Sequence, residues 1–303
     1  MYNQIDFLDA FSHVKWSSPA KLNLFLHITK QRDDGYHELQ TLFQLLDYGD
    51  SLRFSPASVG EINMLTPIEG VADEDNLIVK AVQLLHQTTG NRFGVNITLE
   101  KKLPMGGGIG GGSSNAATTL VVLNKLLALG LNPIELADLG LQLGADVPVF
   151  VNGLTCFASG VGEEFAPAPL KSYTFLVLHP DEHISTAAIF KHPDLPRNTP
   201  IMNWHDYEFA KTHNDCQELV LNLYPKVANL LQHLLHYAPS RLTGTGACVF
   251  AMFDTEDEAL HALQELRKQQ IVDNNTHAFI AKGVTESPLH SQLKTLFATH
   301  DMD

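Results

Sequence analysis

Six of the seven residues from Gly106 to Gly112 are glycine, interrupted only by Ile109. Such a run gives up more chain entropy on folding than a simple turn requires, so its neighbours must supply the reason. Before it, Val95, Ile97 and Leu99 alternate with polar residues at the period of a strand. After it, Ser113 and Ser114 can cap a helix through Ala116, Ala117, Leu120, Val121 and Leu127 to Gly130. Strand, glycine loop and helix N-terminus together aim backbone N–H groups and a positive dipole end at one point, which is a cradle for phosphate.

A formal net charge of −14 argues against nucleic acid as a partner. It also means that a polyanionic ligand must be drawn in by local positive features. Lys101 and Lys102 stand just before the glycines, each either a solvated strand end or a phosphate contact. The chain has 303 residues, 44% of them hydrophobic, enough for one large or two ordinary domains. No apolar run reaches the roughly 18 residues of a membrane span. The acidic first nine residues do not read as a signal peptide, so a cytoplasmic protein is expected. Cys156, Cys216 and Cys248 form no CxxC pair and read as small buried hydrophobes. The histidines show no metal-ligand spacing.

Along the chain, residues 1–15 lack a period and are expected to be a loose lead-in. Pro19–Ile28 alternates Lys21, Asn23, Phe25 and His27 against Leu22, Leu24, Leu26 and Ile28, a strand with one strongly apolar face. Lys21 and Asn23 then project to one side about 7 Å apart. Asp34-Gly35 is a turn followed directly by Tyr36-His37, and the segment to Leu46 is ambiguous between strand and helix. Asp47–Asp50 reads as a further turn before a short strand. Asp75-Asn76 opens a helix closed by Gly90, and Asn132-Pro133-Ile134-Glu135 is a strong helix start. Asp146 lies in an otherwise apolar stretch where Pro148 opposes a regular central strand, so locally it reads as a turn or cap carboxylate. A boundary is expected near Gly160, dividing the chain into 1–160 and 161–303. Leu219–Leu235 is helical in pattern despite Pro225, Phe279–Gly283 is a last strand, and the tail from Glu286 carries no signal.

A P-loop requires a lysine after the last glycine, and none follows here. Gly106, Gly108 and Gly111 formally fit a dinucleotide fingerprint, yet the ribose-binding acid expected near residue 131 is replaced by a Gly130–Pro133 helix junction. Pro104–Ala117 instead resembles the central motif of the GHMP kinases, with Ile109 where leucine is usual. Pro19–Leu24 resembles their first motif and Leu242–Ala247 their third. Asp34–His37 and Gly144–Pro148 tighten the match to a branch acting on a cytidine diphosphate-linked alcohol on the non-mevalonate route to isoprenoid precursors.

The resemblance implies an α+β fold, with an N-terminal nucleotide-binding domain containing a left-handed βαβ element and a ferredoxin-like C-terminal domain. It implies ATP as cofactor, and Mg2+ through ATP chemistry, without indicating a metal ligand. Pro104, Gly106, Gly107, Gly108, Gly110, Gly111, Gly112, Ser113 and Ser114 would hold the ATP phosphates. Asn76 and Leu77 would border the adenine, with Lys101 alongside the nucleotide. Lys21 and Asp146 would face the substrate hydroxyl, Asn23 nearby, while Tyr36 and Phe190 sandwich the cytosine and His37 reads its edge. Phosphoryl transfer needs alignment and charge neutralisation more than covalent help, which suits this set. Asp146 could serve as base or as positioning group.

Overall fold

The computed structural model describes residues 8–168 and 170–298. Two long antiparallel strands, β1 (Trp16–Gln31) and β2 (His37–Pro56), form its spine. The remaining strands are β3 (Ile62–Met64), β4 (Val95–Glu100), β5 (Cys156–Ser159), β6 (Glu164–Pro167), β7 (Thr174–His179), β8 (Ser240–Leu242), β9 (Val249–Phe253) and β10 (His277–Val284). Along its free edge β2 receives β5, then β10, then β4, so one sheet passes through the whole molecule.

In the first half, β3 and β4 run parallel and are joined through helix α1 (Leu77–Thr89). Helices α2 (Gly111–Leu126), α3 (Pro133–Leu143) and α4 (Val147–Asn152) complete this half around a core holding Trp16, Phe54, Leu120 and Phe150. In the second half come α5 (Thr186–Lys191), α6 (Gln217–Leu223), α7 (Pro225–Leu234) and α8 (Glu256–Lys268). The strand order there, β10-β7-β9-β8 and antiparallel throughout, is the ferredoxin-like order expected from the resemblance. A third cluster, including Leu22, Phe25, Phe175, Phe250 and Phe279, welds the two halves together.

Several local readings are revised by the packing. β1 is buried along both faces rather than one, because the second half covers what would otherwise be its polar side. Register shifts, one between Asn23 and Leu26, also break its simple alternation. Asp47–Asp50 is no turn but continuous strand. A Cβ at Gly49 would lie 2.1 Å from the Ser18 carbonyl oxygen, so this glycine serves the close crossing of β1 and β2. Pro148 opens the buried helix α4, since proline is tolerated in a first helical turn. Pro225 divides the expected long helix into α6 and α7.

Both the first and the last described segments contribute to the first core. Leu8 and Phe11 are buried, and helix α9 (Pro288–Phe297) packs Leu289 and Phe297 there. The expected division at 160 falls inside the β5–β6 hairpin, which pairs with β2. We propose that the division follows Pro167 and that α9 belongs to the first half. Residues 1–7 of the expected lead-in lie outside the described residues.

Candidate active site

The glycine loop is pressed between β1 and the turn before β9. The Ala247 and Cys248 amides donate to the carbonyls of Gly106 and Gly107, both at 3.1 Å, and the Lys21 amide donates to Ile109 O at 3.0 Å. The three sequence segments that suggested a kinase therefore meet at one place. Gly110, with φ +74°, is the N-cap of α2. A Cβ there would stand 2.7 Å from the Phe150 ring and 3.2 Å from Lys21 Cγ. Ser113 and Ser114 do not cap the helix but lie in its first turn. Ser114 is buried, its hydroxyl accepting from Ser18 Oγ at 3.0 Å. Ser113 remains part-exposed, with Oγ 3.8 Å from where a Cβ on Gly144 would sit. The amides of the first helical turn have no intrahelical acceptor, so this helix end, where Gly112 is exposed, could hold an anion.

Lys21 and Asp146 are brought together. Lys21 Nζ lies 3.1 Å from Asp146 Oδ2, with side chains 3% and 37% exposed, so a buried cation meets a carboxylate that reaches solvent. Asp146 occupies the N-cap position of α4 yet makes no capping bond, which frees its carboxylate for Lys21. Lys21 Nζ also donates to Asn23 Oδ1 at 2.6 Å and to Gly108 O at 3.1 Å, and sits over the Phe43 ring. Asn23 is oriented in turn by Thr41 Oγ1, which accepts from its Nδ2 at 2.8 Å, and by Thr243 Oγ1, which accepts from its amide.

Asn76 is the buried N-cap of α1, accepting from the Ile78 amide at 3.0 Å. The Leu77 side chain next to it reaches within 3.6 Å of a Cβ position on Gly112. Lys101 Nζ approaches the same helix end, 3.3 Å from a Cβ position on Gly111. It is paired at 2.7 Å with Asp50, a carboxylate the sequence reading missed. Fully buried Asp50 also accepts from the Lys102 and Leu103 amides and from Asn115 Nδ2 at 2.7, 2.8 and 3.2 Å. It thus pins the chain entering the glycine loop to β2 and α2. Pro104 follows immediately, half-buried.

The other expected residues form a second group. His37 is buried and its ring lies 5.2 Å from that of Phe190 on α5. Tyr36 is exposed at the entry to β2. Arg197, which the sequence reading did not single out, donates from Nε to His37 Nε2 at 3.1 Å. Burial, and then the Arg197 charge, hold the His37 pKa below its ordinary value.

Fold, open helix end and lysine–carboxylate pair define a small-molecule kinase of the GHMP class. Residues 76–154 match the GHMP kinases N terminal domain and residues 194–272 the GHMP kinases C terminal domain. The chain is 57% identical to 4-diphosphocytidyl-2-C-methyl-D-erythritol kinase of Pseudoalteromonas atlantica, over 93% of this chain and 96% of the relative. It is 52% identical to the protein of that name from Shewanella woodyi, over 93% and 97%. A crystal structure of 4-(cytidine 5'-diphospho)-2C-methyl-D-erythritol kinase superimposes with a TM-score of 0.76 at 29% identity, covering 89% of this chain and all of that one. The chain belongs to the GHMP kinases, ATP-dependent phosphotransferases, and among them to the 4-diphosphocytidyl-2-C-methyl-D-erythritol kinases. No helix among the described residues is long and apolar enough to cross a membrane.

Proposed function

We propose that this protein transfers the γ-phosphoryl group of ATP to the 2-hydroxyl of 4-diphosphocytidyl-2-C-methyl-D-erythritol, in the cytoplasm, on the non-mevalonate route to isoprenoid precursors. The observation that carries the reading is Lys21 Nζ held between Asp146 Oδ2 and Gly108 O beside an open helix N-terminus. The glycine loop from Pro104 to Gly112, with Ser113 and Ser114, cradles the ATP phosphates, while Asn76 and Leu77 border the adenine and Lys101 lies alongside. Asp146 orients the attacking hydroxyl or accepts its proton, and Lys21 balances charge as the oxygen attacks. Asn23 holds the lysine in place. Tyr36 and Phe190 stack on cytosine, whose edge is read by His37. The partner is a small molecule rather than nucleic acid, in keeping with a net charge of −14.

Among the described residues no group of three or more His, Cys, Asp or Glu side chains is placed to hold a metal ion. ATP chemistry implies Mg2+, for which no side chain is assigned as ligand, and no step is routed through it.

The test is ATP consumption with the cytidine compound against galactose, homoserine and mevalonate. The reading expects turnover with the first alone, and Tyr36→Ala and Phe190→Ala each raising its KM by about tenfold or more at little-changed KM for ATP. Turnover with another acceptor but not with the cytidine compound would overthrow it.

A further inference from the structure

Arg197, in the loop between α5 and α6, is anchored by three backbone carbonyls. Its Nη1 donates to Leu195 O at 2.9 Å, and its Nη2 donates to Phe190 O at 2.9 Å and His192 O at 2.7 Å. Those three carbonyls fix the guanidinium plane and leave Nε aimed at His37 Nε2, 3.1 Å away. A guanidinium has donors only, so the histidine nitrogen facing it must be the acceptor. The ring proton then belongs on Nδ1. The Arg197 contact also opposes a flip of the ring, because a flipped imidazole would offer it a carbon. Backbone pairing of His37 with Gln31 and the Phe190 ring hold the imidazole from other sides.

We propose that Arg197 sets base selectivity by locking His37 in the Nδ1–H tautomer, so that the pocket presents a proton donor to the ring edge of the base. The inference rests on the cytidine-linked substrate proposed above. Cytosine offers an unprotonated N3, an acceptor for Nδ1–H. Uracil carries a proton at N3, and donor would face donor. Specificity of this kind works by leaving the wrong ligand with an unmade bond and a repulsive contact. Cationic histidine would donate from both nitrogens and turn one of them against the guanidinium. Burial together with the Arg197 charge opposes that form, and the lowered His37 pKa agrees. Arg197 also grips the carbonyl of Phe190, so base stacking and edge reading are set by one side chain. It is a positioning residue, acting through His37.

The experiment is long-range 1H–15N spectroscopy of the full chain labelled with 15N-histidine, without ligand at neutral pH, the His37 signals assigned through His37→Gln. Wild type is expected to show a protonated Nδ1 and an unprotonated Nε2, and Arg197→Met a mixture of tautomers. In parallel, kcat/KM is measured for the cytidine compound and its uridine analogue. Arg197→Met should lower the cytidine-over-uridine ratio by about tenfold or more, through KM for the nucleotide-linked substrate and not KM for ATP. Arg197→Lys, which keeps the charge but not the fixed fork, should move both readouts in the same direction. A wild-type His37 protonated at Nε2 overturns the proposal whether or not any variant folds, as does a substituted protein with an unchanged ratio. Failure of wild type to phosphorylate the cytidine compound would instead strike the proposed function, and leaves the tautomer result standing by itself.

Discussion

Replacing Gly110 by alanine isolates the part of the cradle that connects fold to chemistry. The backbone there has φ +74°, a conformation that disfavours an L side chain by about 1–2 kcal/mol. The new methyl would also arrive 2.7 Å from the ring of Phe150, which is 1% exposed and has nowhere to retreat. Overpacking a core at such a point adds about 1–3 kcal/mol. Together these predict a loss of about 2–5 kcal/mol, and a fall in Tm of roughly 3–8 °C for a chain of this size. The same methyl stands 3.2 Å from Lys21 Cγ and must displace the lysine stem. A shift of the ammonium by a fraction of an ångström should lower kcat about tenfold or more. Gly112→Ala is the control for stability, since its Cβ would meet nothing closer than Leu77 Cδ1 at 3.6 Å. Thermal unfolding and steady-state kinetics on both variants make the comparison. A Gly110→Ala protein with wild-type Tm and kcat would refute the reasoning.

Two further outcomes follow from buried ionisable groups. Asp50→Ala leaves the Leu103 amide and Asn115 Nδ2 without their buried acceptor and frees Lys101, so a loss of about 3–5 kcal/mol with a raised KM for ATP is expected, and an unchanged Tm would contradict the anchoring role. Burial, then the charge of His213, lowers the His27 pKa to about 4, so the unfolded chain binds this proton first as pH falls. The contribution is fully present above about pH 6.5 and lost toward pH 4, by at most about 3 kcal/mol, and acid unfolding of His27→Gln should show a shallower decline over that window.

The centre of the site was legible because its parts are local patterns. A glycine run between strand and helix, an apolar strand bearing Lys21 and Asn23, and the Leu242–Ala247 motif each carry their signal within a few residues. Asp146 was legible as an outlier in an apolar stretch, although only the fold shows that at its cap position it makes no capping bond and meets Lys21 instead. Asp50 and Arg197 were not legible, because each acts across a long separation: Asp50 on residues 51 to 65 positions away, Arg197 on one 160 away. Gly49 misled because close strand crossing and turn formation select the same residue type. The C-terminal helix was missed for a related reason: its amphipathic face becomes meaningful only against the first core, far away in sequence. Pro148 shows the limit of residue preference, since one proline opposes a strand interior and suits a helix start.

The account turns on Lys21 and Asp146 acting as a single reacting centre, 3.1 Å apart beside the phosphate cradle. The most direct measurement is a double-mutant cycle on kcat, with Lys21→Met, Asp146→Asn and the pair, KM for ATP being followed in each. Each single change is expected to lower kcat by about 10² or more, the double change to lower it little further, and KM for ATP to respond weakly to Asp146→Asn. Near wild-type turnover in Asp146→Asn, or two losses that simply multiply in the double variant, would contradict it.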